Sequence, residues 1–330
     1  MSSHVMKETA LSSADRLIGL RADLASRLDE ELPVAARDRI TIYATGSLAR
    51  LEANSHSDLD AFFYVLGTKD EDRLDTVEEV CVFHNVIEAS RSADFPDFSN
   101  GGEYLHFQYL DDVVLNIGSR QDDYINGLTS RMLLILESCP LYNQDNYIKS
   151  KNKVVEKYFA DFHDHRKDFK PIFILNDILR FWRTLCLNYE HGREWRKEDG
   201  LDRARGHLKN LKLRFSRLLI CYSFVAGLLN RGPTLSQADV VAISDETPLG
   251  RLRTLRSDNP AYARSVDSLL SEYEWFMGEM DRDKNAALEW ISDPATRADA
   301  FARGETFAQT MADFVMLVAA QHGYSRYLVI

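Results

Sequence analysis

Two aspartates separated by one residue, Asp58 and Asp60, follow a Gly46-Ser47 turn within the stretch from Ile40 to Val65, ITIYATGSLARLEANSHSDLDAFFYV. Side chains alternate across a strand, so both carboxylates project from one side. Such a pair repels itself unless cations sit between its members. Magnesium takes oxygen ligands of this kind and completes its octahedron with water and substrate phosphates. Two ions clamped this way favour attack of an oxygen on phosphorus and departure of pyrophosphate. Gly46 admits backbone angles closed to other residues and lets a ligand approach the main chain. Ser47 sits where a helix N-cap would, beside free backbone N–H groups, an arrangement suited to phosphate.

Ile40 to Ala44 is a β-branched and aromatic run, expected as a buried strand. Ala61 to Val65 is expected as a second strand, with Asp58 and Asp60 leading into it. The amphipathic stretch Glu8 to Leu28 carries Leu11, Leu17, Leu20, Leu24 and Leu28 at near-helical spacing and is expected to pack on the sheet. Asp70 to Arg91 is expected as a helix returning across it, and Glu103 to Phe107 as a further strand.

Gly46-Ser47, Arg50, Glu52 and Ser57-Asp58-Leu59-Asp60 together resemble the signature of the polymerase-β-like nucleotidyltransferase superfamily. The Arg50-x-Glu52 spacing looks most like the branch of bacterial uridylyl- and adenylyltransferases. A chance turn followed by an exposed acidic loop is the plain alternative. The resemblance implies an α+β fold: a mixed-sheet catalytic domain over residues 1–145, and an all-α domain over 146–330 closing the nucleotide cleft. It implies two Mg2+ or Mn2+ ions on Asp58 and Asp60, and a third carboxylate on a later strand as ligand or base. Glu103 is the favoured candidate, with Asp111 and Asp112 as runners-up that also read as a helix cap. Gly46 and Ser47 would bind phosphates, and Arg50 either joins them or pairs with Glu52.

With 330 residues, 45% of them hydrophobic, the chain can bury a sizeable core and suggests two domains. No apolar run approaches the length of a membrane span, and the N-terminus lacks the apolar core of a secretory signal, so a cytoplasmic protein is expected. Cys81, Cys139, Cys186 and Cys221 form no C-x-x-C pair and read as reduced thiols. The net charge of −11 argues against broad binding of nucleic acid and leaves room for a local basic channel.

The second half reads as helix after helix. Ile172 to Tyr189 has an apolar face and a polar one with Arg180 and Arg183, which is either solvated or turned to phosphate. From Leu208 to Leu229, Lys209, Lys212, Ser216 and Ser223 fall within one arc at 100° per residue. They read as a triphosphate and ribose contact surface, or as snorkelling lysines on an ordinary helix.

The expected reaction is transfer of a nucleoside monophosphate from an NTP or dNTP to an acceptor hydroxyl, releasing pyrophosphate. The acceptor is expected on a protein or small molecule. Alternatives are a template-independent polymerase, a tRNA-modifying toxin or an oligonucleotide-signal synthase of a bacterial defence or toxin–antitoxin system, or a silent nucleotide-binding regulator. A partner protein or a homo-oligomer is compatible with the apolar end, Tyr324 to Ile330.

Overall fold

The computed structural model describes residues 2–98, 102, 105–162, 164, 169–194 and 200–328. Glu103 lies outside them. The chain is α+β, mostly helical, with a small mixed sheet of four strands. It divides into two compact units, Lys7–Ala160 and Asp161–Ile330, the latter together with Met1–Met6.

The first unit runs α1 (Ser2–Glu31), α2 (Val34–Arg37), β1 (Ile40–Thr45), α3 (Gly46–Ala49), β2 (Asp60–Val65), α4 (Lys69–Asp72), α5 (Thr76–Ser92), β3 (Phe107–Tyr109), α6 (Leu110–Leu115), α7 (Arg120–Tyr124), α8 (Gly127–Leu136), β4 (Cys139–Tyr142) and α9 (Gln144–Tyr158). The strand order is β3-β2-β1-β4. β1 pairs antiparallel with β2, from Ile40 opposite Val65 to Thr45 opposite Asp60, and antiparallel with β4. β2 and β3 are parallel, with Phe63 opposite Phe107.

All six residues of β1 are buried because both faces of the sheet are covered. Ile42, Ala44, Phe63 and Val65 join a core with Leu17, Leu20, Leu24 and Leu28 of α1 and Val82, Val86 and Ala89 of α5. The other face presents Tyr43 and Tyr64 towards α8 and α9. There the Tyr43 and Tyr147 rings lie 6.2 Å apart, and the Tyr64 hydroxyl is 2.5 Å from Ser130 Oγ. Behind them Arg131 and Asp122 form a fully buried bidentate pair at 2.5 and 2.9 Å, and Arg131 Nε donates to the Tyr158 hydroxyl at 2.8 Å.

Three boundaries differ from the sequence reading, the first being the strand expected over Glu103 to Phe107, which is β3 at Phe107–Tyr109 with Leu105 and His106 outside it. The stretch from Asp70 to Arg91 is two helices, because the Asp75 side chain caps α5 in a reciprocal box with Glu78. Cys139–Tyr142, which follows α8, is edge strand β4; Pro140 is tolerated there because its missing N–H falls at the bulged register beside Tyr43. The units divide after Ala160 and not near 145, because α9 packs back on β1 and β4.

The second unit contains α10 (Ile172–Glu194), α11 (Gly200–Lys212), a π turn (Leu213–Arg217), α12 (Leu218–Arg231), α13 (Gln237–Asp245), α14 (Pro248–Asp258), α15 (Ala263–Met280), α16 (Lys284–Ser292) and α17 (Pro294–Gln321). Phe215, in the π turn, stacks on Phe276 at 4.8 Å and meets Phe307 at 4.9 Å. The continuous helical run Gly200–Thr234 is long and apolar enough to cross a membrane, yet 72% of its apolar window is buried inside the unit, as in a core helix.

Candidate active site

Gly46 ends β1 with φ +70°, a conformation an L side chain adopts only under strain. A Cβ built there would lie 2.5 Å from Asp60 Oδ2. Glycine is therefore favoured by its backbone angle, and a Cβ here would displace the Asp60 carboxylate pressed against it. The α3 turn that follows is closed by Arg50 N–H to the Gly46 carbonyl at 3.2 Å and Glu52 N–H to the Ser47 carbonyl at 2.8 Å. Ser47 is half-buried, and its hydroxyl makes no hydrogen bond among the described residues.

Burial alternates through the acidic pair: Asp58 is exposed, Leu59 is buried, Asp60 is half-buried. Leu59 belongs to the core on the α1 and α5 side together with Ala61 and Phe63. The pleat then places Asp60 on the opposite face, the one that carries Phe62 and Tyr64, and Asp58 lies two residues before β2 begins. Asp60 pairs with Thr45, the residue before Gly46, so the acidic pair and the Gly46 bend share one end of the sheet.

Arg50 is a buried structural cation. Its Nε donates to Glu52 Oε2 at 2.7 Å and its Nη1 to Glu137 Oε2 at 2.5 Å, with both carboxylates nearly or fully buried. Of the two roles read from sequence, the pairing with Glu52 is present in the structure. Glu137 was not singled out from sequence. Its signal is a lone carboxylate at the end of the apolar run LLILE, which needs a cation if the run is core. Leu51, between the paired residues, sits at φ +60°, an outlier for a bulky side chain and a local concentration of strain.

Asp111 and Asp112 do not join Asp58 and Asp60. The Asp111 N–H bonds to the Gly67 carbonyl, beyond the far end of β2. Asp60 and Val65 alone are separated by five residues, about 17 Å of strand. Asp111 pairs with Lys153 and Asp112 accepts from the Lys69 N–H, so both are engaged at that far end. His106 is exposed. No group of three or more His, Cys, Asp or Glu able to hold a metal occurs among the described residues, from which Glu103 is missing.

In the second unit the expected line of polar groups breaks. Lys209 and Lys212 are exposed, but Ser216 is buried, and its Oγ accepts from the Tyr273 hydroxyl at 3.3 Å. Ser223 is fully buried. The cause is the π turn at Leu213–Arg217: a wider turn shifts the phase, so 100° per residue no longer predicts the face beyond Lys212. Ser216 is thus a core hydroxyl and not part of a nucleotide surface. Arg180 lies 3.7 Å from the buried Asp177, while Arg183 is exposed.

No protein-family model matches the chain, and no curated protein matches it.

Proposed function

We propose that the first unit is a metal-dependent nucleotidyltransferase of the polymerase-β-like kind. The observation that carries this reading is the contact of Asp60 with Gly46: the acid and the bend occupy one spot, so a triphosphate tail at the bend would lie against the carboxylates. Asp58 and Asp60 suit Mg2+ or Mn2+, since magnesium is commonly held by one or two carboxylates and substrate phosphates. A bound ion there supplies neutralisation of charge on the phosphates. The main-chain N–H groups at Gly46 and Ser47, with the Ser47 hydroxyl, would orient the outer phosphates. The acceptor hydroxyl attacks the α-phosphorus, pyrophosphate leaves, and the acceptor proton passes to a base, the role this reading gives Glu103. Alignment and charge placement carry the rate.

The test is incubation with each α-labelled NTP and dNTP in Mg2+ or Mn2+, alone and with cell lysate. Label on a protein, a small molecule or a nucleic acid supports transfer and identifies the acceptor. The Asp58→Ala, Asp60→Ala double variant is expected to lose transfer and keep its fold. No transfer with any nucleotide, or undiminished transfer by that variant, overturns the reading.

A further inference from the structure

Asp60 is fixed by the sheet, since it pairs with Thr45 at the end of the β1–β2 ladder. Asp58 precedes β2 by two residues and lies outside that ladder, so the loop between α3 and β2 sets its position. Ala53 and Leu59 bury the two ends of this loop in the core. Between them a turn closes on itself. The Ser57 N–H donates to the Asn54 carbonyl at 3.2 Å, the Asn54 N–H to Ser57 Oγ at 3.0 Å, and the Ser57 hydroxyl to Asn54 Oδ1 at 3.1 Å. A further tie comes from α1. Its core stripe of Leu28, Leu24, Leu20 and Leu17 continues at helical spacing to Ser13, which is fully buried. The Ser13 hydroxyl donates to the Ala53 carbonyl at 3.0 Å. One turn on, Arg16 Nη1 donates to the Asn54 carbonyl at 2.8 Å, and the Arg16 guanidinium lies 3.8 Å from the centre of the buried Phe95 ring. Arginine can do both, because its fork donates in the plane and its face stacks on an aromatic ring. Arg16 thus grips the turn whose last residue, Ser57, adjoins Asp58.

We propose that Arg16 is a positioning residue for Asp58: it holds the Asn54–Ser57 turn so that the Asp58 carboxylate stays in place to share a divalent ion with Asp60. The assignment rests on the transferase reading, to which that ion belongs. Asp58 is exposed, and its own side chain gains nothing from packing that would hold it. Freed from Arg16, the loop would spend part of its time with Asp58 away from the ion. The apparent affinity for the ion then falls by the fraction of molecules that remain competent. A loss of that kind is recovered at saturating metal. Damage to the chemical step itself is not.

The test is Mn2+ titration of the full chain with a nonhydrolysable NTP, beside hydrogen–deuterium exchange of residues 52–60. Arg16→Met keeps an apolar stem over Phe95 and removes the donor. Loss of a charged hydrogen bond predicts that its loop exchanges at least about tenfold faster and that half-occupancy needs at least about tenfold more Mn2+. Full occupancy and the wild-type rate of label transfer should return at saturating Mn2+. Arg16→Lys keeps the charge without the stacked fork, should shift both readings the same way by less, and is the variant to read if Arg16→Met melts early. Arg27→Met removes an arginine of the same helix that bonds to Asp23 and Ser92, and should match the wild type. Unchanged exchange or an unchanged Mn2+ requirement in the folded Arg16 variants overturns this assignment alone. So does an equal loss in Arg27→Met, or a rate that stays low at saturating Mn2+. No Mn2+ uptake by the wild type overturns the transferase reading, and the assignment falls with it.

Discussion

Replacing Gly46 with alanine perturbs the backbone and the chemistry by separable amounts. At φ +70° an alanine costs about 1–2 kcal/mol relative to glycine. Its Cβ would sit 2.5 Å from Asp60 Oδ2, against an ordinary contact starting at 3.4 Å, so the carboxylate must retreat by 3.4 − 2.5, or 0.9 Å. A misplacement of about 1 Å at a reacting centre costs on the order of 100-fold in rate. Gly46→Ala is therefore expected to lose about 1–2 kcal/mol in urea unfolding and on the order of 100-fold in transfer of α-labelled nucleotide. The stability loss alone leaves the folded population essentially intact, so the rate loss must come from the moved carboxylate. A variant destabilised by this amount yet transferring at the wild-type rate would refute the reasoning that Asp60 acts where it touches the bend.

Arg50→Ala strips the shared cation from Glu52 and Glu137, two nearly or fully buried carboxylates, and is expected to cost about 3–5 kcal/mol by urea unfolding. A loss below about 1 kcal/mol would show that the pair is solvated. Asp122→Asn leaves the Arg131 charge buried without its carboxylate and should cost a similar amount, read as a lowered Tm. Burial pushes the Tyr64 phenol up to about 12 from 10. The folded state therefore holds that proton while the unfolded chain releases it. Its contribution is whole below pH 10 and is lost between pH 10 and 12, at about 1.4 kcal/mol per pH unit. Tyr64→Phe should flatten that part of an alkaline unfolding series, and an unchanged slope would contradict the assignment.

The part of the fold legible in sequence was the part that is locally encoded. Ile40 to Ala44 and Ala61 to Val65 read as strands because β-branched and aromatic residues fill them, and Gly46 read as a bend because glycine takes such an angle most readily. The leucine spacing of α1 was legible for the same reason. What escaped depends on partners distant in sequence. β4 is a strand only because β1 accepts it, against the local signal of Pro140. Glu137 reads as a helix end until Arg50 arrives from far away in the chain. The helix phase at Ser216 failed for a different reason, since a π turn forms where Phe215 packs into the aromatic cluster of α15 and α17 and leaves no mark in hydrophobic periodicity. Asp111 and Asp112 were plausible third acids by type and order, and only strand length and register remove them.

The central claim is that Asp58 and Asp60 hold divalent ions beside the Gly46-Ser47 bend in the presence of a triphosphate. Titration of Mn2+ followed by electron paramagnetic resonance, with a nonhydrolysable NTP, addresses it directly. The expected result is tight Mn2+ uptake by the wild type that depends on the nucleotide and disappears in the folded Asp58→Asn, Asp60→Asn variant. Equal uptake by the two proteins, or none by the wild type, would contradict the account.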